Sequence, residues 1–124
     1  MARGSTTERT AAPLKPRVKV WLETDRAYAF GFGLCEILQA VARTGSIKGA
    51  AAALGKSYRH VWGRVKAAET ALGLTLVKTH QGGQGTQRSA LTPPARRLVE
   101  RFLDLRQRMA QLLEEEFARH FGPR

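Results

Sequence analysis

Residues 46–73 read SIKGAAAALGKSYRHVWGRVKAAETALG, and the fold turns on the meaning of the Gly-Lys-Ser at 55–57. The same three residues end a nucleotide-binding P-loop, in which a glycine-rich turn between a buried strand and a helix wraps phosphate. That motif places its first glycine at the position held here by Ala50, with Gly49 one residue out of register. The alanines and leucine leading into Gly55 favour helix, whereas a P-loop follows a buried strand. Gly-Lys-Ser is therefore a turn from one helix into another. Ser46 can cap the first, whose face of Ile47, Ala50, Ala51 and Leu54 is built of small residues, and Gly55 ends it. Ser57 can cap the second, which runs to about Leu72 with Val61, Val65, Ala68 and Leu72 on one stripe. A glycine-linked pair of short helices is the helix-turn-helix pattern.

Upstream, Leu34, Ile37, Leu38 and Val41 recur at helical spacing, and Thr44-Gly45 supplies a stop. Before them RVKVWLET (17–24) alternates, with Val18, Val20 and Leu22 on one face and Lys19, Trp21 and Glu23 on the other. That is the pattern of a half-buried strand, and DRAYAFGFG (25–33) can return as a second short one. Residues 1–15 are polar and carry Arg3, Arg9 and Lys15; they read as a disordered basic arm. Downstream, LTLVKTH (74–80) and QRSALT (87–92) are strand-compatible runs joined by QGGQG, a hairpin shaped like a wing. Thr92, followed by Pro93 and Pro94, starts a last helix over about 93–119. The expected fold is α+β and mostly helical. A winged helix-turn-helix spans 16–92, N-terminal strands included, and a long C-terminal dimerisation helix with its tail spans 93–124.

The chain has 21 Lys+Arg against 10 Asp+Glu, a net charge of +11. So large an excess points to a polyanionic partner, nucleic acid or an anionic membrane surface. The basic residues lie on a compact domain rather than along one amphipathic helix, which disfavours the membrane surface. No apolar run approaches the roughly 20 residues of a membrane span, and the N-terminus lacks the apolar stretch of a signal peptide, so the expected location is cytoplasmic, at the nucleoid. A single cysteine, Cys35, excludes an internal disulfide, and with three scattered histidines it makes no metal cluster; no cofactor is expected. Cys35 sits among apolar residues and reads as a buried, inert thiol.

No acid stands between Glu36 and Glu69, yet Arg43, Lys48, Lys56, Arg59, Arg64 and Lys66 all fall there. Such a run can be a solvated helix face. Here, however, the bases flank a helix start, where free N–H groups and the helix dipole already attract phosphate. Tyr58, His60 and Trp62 interleave with them, able to stack or hydrogen-bond, although Tyr58 and Trp62 can equally face the core.

Taken in order, TGSIKGAAAALGKSYRHVWGRVKAAETALGLTLVKTHQGGQGTQRSALTPPARRL (44–98) resembles the N-terminal winged-helix domain of ModE-type molybdate-responsive transcription regulators. The marks are Gly45, Ser46 and Ile47 with Ala50 and Ala51, SYRHVW (57–62), GGQG in the wing, and LTP (91–93). Val61, Val65, Glu69, Leu72, Gly73 and Leu76 are similarly placed to the LysR-type helix-turn-helix pattern. The resemblance implies a non-enzymatic, sequence-specific regulator that binds double-stranded DNA. In it Ser57, Tyr58, Arg59, His60, Gly63 and Arg64 contact DNA from the reading helix. Ser46, Lys48 and Lys56 support them, and Lys78, Gly82, Gly83 and Arg88 act from the wing. The chain stops at Arg124, so no oxyanion site or small-molecule effector is assigned. An architectural or RNA-binding protein without an operator remains the alternative, and a nucleotide-dependent enzyme a weaker one.

In the last helix, Leu98, Phe102, Leu105, Met109 and Leu112 alternate at spacings of four and three, with Val99, Leu103 and Leu113 widening the stripe. A small domain needs only the first turns of this helix, so the stripe is expected to form a homodimer interface, unless the helix folds back on its own domain. The resemblance implies antiparallel pairing, and hence an inverted-repeat site.

Overall fold

The first three helices stop where the chain can enter the left-handed backbone region. Gly45 (φ 81°) and Gly55 (φ 67°) bracket the second helix, and any side chain there would be strained. The helix over Phe32–Thr44 starts after Gly31 without a side-chain cap, while the later helices start where a hydroxyl caps them. Ser46 Oγ accepts from Gly49 N at 2.8 Å, Ser57 Oγ from His60 N at 3.0 Å and Thr92 Oγ1 from Ala95 N at 3.2 Å. In the computed structural model, which describes residues 12–81 and 87–123, these signals give eight elements. They are β1 (Trp21–Glu23), β2 (Tyr28–Gly31), α1 (Phe32–Thr44), α2 (Ile47–Leu54), α3 (Tyr58–Leu72), β3 (Val77–Gln81), β4 (Gln87–Leu91) and α4 (Pro93–Phe121). Residues 1–11 of the expected arm and the wing glycines Gly82 and Gly83 lie outside the described residues.

The apolar stripes meet in one core. Leu34, Ile37, Leu38 and Val41 of α1 pack with Ile47, Ala50 and Ala51 of α2 and with Val61, Val65 and Ala68 of α3. The alanine face of α2 lets its neighbours approach closely. Phe30, Val77 and Leu91 close the core from the strands, and Leu76 from the turn before β3. Cys35 is fully buried, as its neighbours implied. Burial pushes its thiol pKa up, with Arg106 partly opposing.

The strands form two separate antiparallel pairs, β1–β2 and β3–β4. The first is shorter than the alternation over 17–24 suggests. Only Trp21–Glu23 enters the ladder, and Val18, expected on the inner face, is exposed. The reason is the partner: β2 ends at Gly31 opposite Trp21, and α1 begins at the next residue, so nothing remains to pair with residues 17–20. Val20 and Leu22 still pack against the core.

The last helix departs from its expected use. Phe102, placed by its spacing in a dimer stripe, is 1% exposed and meets Phe30 edge-to-face at 5.1 Å between ring centres. Ala95 and Val99 are buried with it, and Leu98 and Leu103 pack against the same core. The first three turns of α4 thus belong to the chain's own hydrophobic centre. Beyond them Leu105 and Leu112 are exposed and Met109 half-buried. No described helix is long and apolar enough to cross a membrane.

Candidate nucleic-acid interface

α3 has two faces of opposite character. Val61, Val65 and Ala68 are buried, while Arg59, His60, Gly63, Lys66 and Thr70 are exposed on the other side. Its first turn holds no acid, so the positive end of the helix dipole stands open beside exposed Lys56 and Arg59. The Ser57 hydroxyl is already engaged as the cap, and its expected DNA contact would have to share that bond. Tyr58 is exposed at 46%. Trp62, which the sequence leaves open between core and groove, packs on the core. It is half-buried against the core, and Lys66 Nζ lies 4.7 Å from its ring centre, a cation–π contact that keeps a positive charge on this helix.

Arg64 is not with the others. It lies half-buried on the flank of α3, facing Gly33 and a groove shared with Trp21, Tyr28 and Phe32. The helical period explains this: position 64 is one turn after Val61 and one before Ala68, next to the buried stripe rather than opposite it.

The neighbouring elements bring further bases. Ser46 caps α2 and leaves Lys48 exposed in its first turn. Lys78 and Arg88 are exposed on the hairpin. Ser89 N donates to Gly45 O at 2.8 Å, which pins β4 to the α1–α2 turn and sets the Arg88 guanidinium beside Gly45. The hairpin is thereby fixed to the same unit that carries α2 and α3.

A second fixing point was not read from the charges. Glu69 Oε2 accepts from Leu76 N at 2.7 Å and Val77 N at 3.2 Å, while Oε1 takes Lys66 Nζ at 3.0 Å. This carboxylate clamps the entry of β3 onto α3. The signal was its isolation, as the first acid after Glu36. Burial pushes its pKa up, but the Leu76 N–H, Lys66 and the Val77 N–H outweigh that and hold it below the ordinary value. A carboxylate depressed in the folded state stabilises the protein above its unfolded pKa, and that stabilisation is lost as pH falls through the folded one. Glu69→Ala is therefore expected to cost about 1.5–3 kcal/mol at pH 7, measured by urea unfolding. The gap from wild type should narrow below about pH 4. An equal gap at both pH values would remove the charged clamp.

Capped, two-faced α3, preceded by α2 and followed by a pinned hairpin, is a winged helix-turn-helix. Residues 32–96 match the family described as bacterial regulatory helix-turn-helix protein, lysR family. The chain belongs to that family, a class of DNA-binding transcription regulators. It is similar to the molybdenum transport protein ModE of Herbaspirillum seropedicae, 34% identical over 80 residues, and to the molybdenum-pterin-binding protein MopB of Rhodobacter capsulatus, 34% identical over 77. Those alignments cover 64% and 62% of this chain but 30% and 28% of the relatives, so the chain spans under a third of their length. Among solved structures, full-length LysG from Corynebacterium glutamicum is 28% identical with a TM-score of 0.50, over 69% of this chain and 28% of that one. The CbnR DNA-binding domain in complex with DNA is 21% identical with a TM-score of 0.55, over 73% of this chain and 99% of that one. The second likeness is one of fold.

Proposed function

We propose that the chain reads specific double-stranded DNA as a transcription regulator and works by binding rather than by catalysis. The observation that carries this is the two-faced α3, which spends its inner stripe on the core and presents Arg59 and His60 beside an open helix start. In this reading the outward face enters the major groove, where arginine can pair with guanine. Lys48, Lys56, Lys78 and Arg88 supply sequence-independent attraction to phosphate. The exposed end of α4 pairs with a second copy, and the complex resides on the chromosome in the cytoplasm. The molybdenum in the relatives' names belongs to proteins of which this chain spans under a third, and no effector is part of the proposal.

The test begins with selection of bound duplexes from a random pool. Arg59→Ala is expected to lower discrimination between the selected duplex and random DNA by about 1–3 kcal/mol. Lys78→Ala should weaken both alike and flatten the salt dependence by about one charge. Unchanged preference and affinity in Arg59→Ala would remove α3 as the reading helix.

A further inference from the structure

Most of the described glycines have a reason inside the fold. Gly45, Gly55 and Gly73 end helices in left-handed backbone. A side chain at Gly31 would strike the Tyr28 hydroxyl, one at Gly122 the Ala118 carbonyl, and one at Gly49 would meet Ser46 Oγ and Thr44 Cβ at 2.9 Å. A Cβ at Gly33, in the first turn of α1, would sit in ordinary contact with the Arg64 guanidinium, 3.5 Å away. Gly63 differs. It lies inside α3 without a positive φ, and a Cβ built there meets nothing within 4 Å. A glycine inside a helix is less stable than alanine, and the same helix uses Ala67, Ala68 and Ala71 freely. Neither backbone nor packing accounts for Gly63.

Its position supplies another account. Gly63 is exposed one turn after Arg59 on the outward face of α3. A helix with its side chains is about 10–12 Å across, nearly the width of the major groove. Removing one side chain from the face that enters lets the backbone sink toward the floor of the groove. We propose that Gly63 is a specificity-determining notch, where base edges of the bound site come into van der Waals contact with the backbone of the reading helix. This rests on the DNA-reading function proposed above. The notch sets the depth of α3, and so decides whether Arg59 and His60 reach their base edges.

The fold and the interface then want opposite residues, which makes the test sharp. Gly63→Ala should raise the melting temperature by about 3–6 °C. It should weaken binding to the duplex selected by wild type about tenfold or more, with an unrelated duplex of equal length bound as before. Gly63→Leu should weaken the selected duplex further. Three results would overturn the notch: a lowered melting temperature in Gly63→Ala, showing that the side chain meets the fold; selected-duplex affinity within about twofold of wild type in both variants; or equal loss on both duplexes. If Arg59→Ala loses discrimination while the Gly63 variants do not, the notch fails and the DNA-reading function stands. If wild type selects no sequence, both fail.

Discussion

Phe102→Ala is expected to destabilise the protein by about 3–5 kcal/mol, the cost of emptying an aromatic site in a close-packed core. Phe102 is 1% exposed and bridges α4 to the β1–β2 unit through Phe30. Small domains are stable by only about 5–15 kcal/mol, so this one change removes a large share. Urea unfolding followed by circular dichroism measures it. A loss under about 1 kcal/mol would mean that α4 does not pack on the domain in solution and that its apolar residues are free for another partner.

The second large effect is expected at the far end of the same helix. Met109→Asp with Leu112→Asp places two charges on the exposed continuation of the stripe, beyond the turns that hold the core. The doubly substituted protein should stay folded, sediment as a monomer at micromolar concentration, and bind an inverted-repeat site about a hundredfold more weakly, because two linked reading helices gain avidity that one lacks. In an antiparallel pair, Arg106 and Arg108 would lie near the partner's Glu114, the partner's Glu115 and the partner's Glu116. Such exposed contacts steer orientation more than they stabilise. A wild-type protein that sediments as a monomer and binds an asymmetric site would end this proposal.

Much of the fold was legible because its signals are local. Ser46, Ser57 and Thr92 cap the helices whose starts they mark, and Gly45, Gly55 and Gly73 end helices in left-handed backbone. The bases of α3 were visible only as a run without acids, not as a face. What escaped was set by partners distant in sequence. The alternation over 17–24 predicted a strand, but strand length depends on the neighbour, and β2 is only four residues long. Phe102 and Leu105 share one heptad pattern, and no pattern says where a core ends and an exposed face begins. Arg64 looked like its neighbours Arg59 and Lys66 until the flank it occupies was filled by Gly33 and the β1–β2 hairpin. Glu69 was visible as an isolated acid, but its two backbone partners, Leu76 and Val77, sit past a turn whose path the sequence does not spell out.

The division of α3 into an inner stripe and an outer face also bears on how such a protein changes over generations. Val61, Val65 and Ala68 hold the helix in place, while Arg59 and His60 are exposed and take no part in the core. Surface substitutions away from caps and buried contacts usually shift stability by under about 0.5 kcal/mol. If α3 reads DNA as proposed, substitutions at Arg59 and His60 would change the preferred sequence at little cost in stability. A duplicated copy could acquire a new set of target promoters in a few steps, each intermediate still a stable protein.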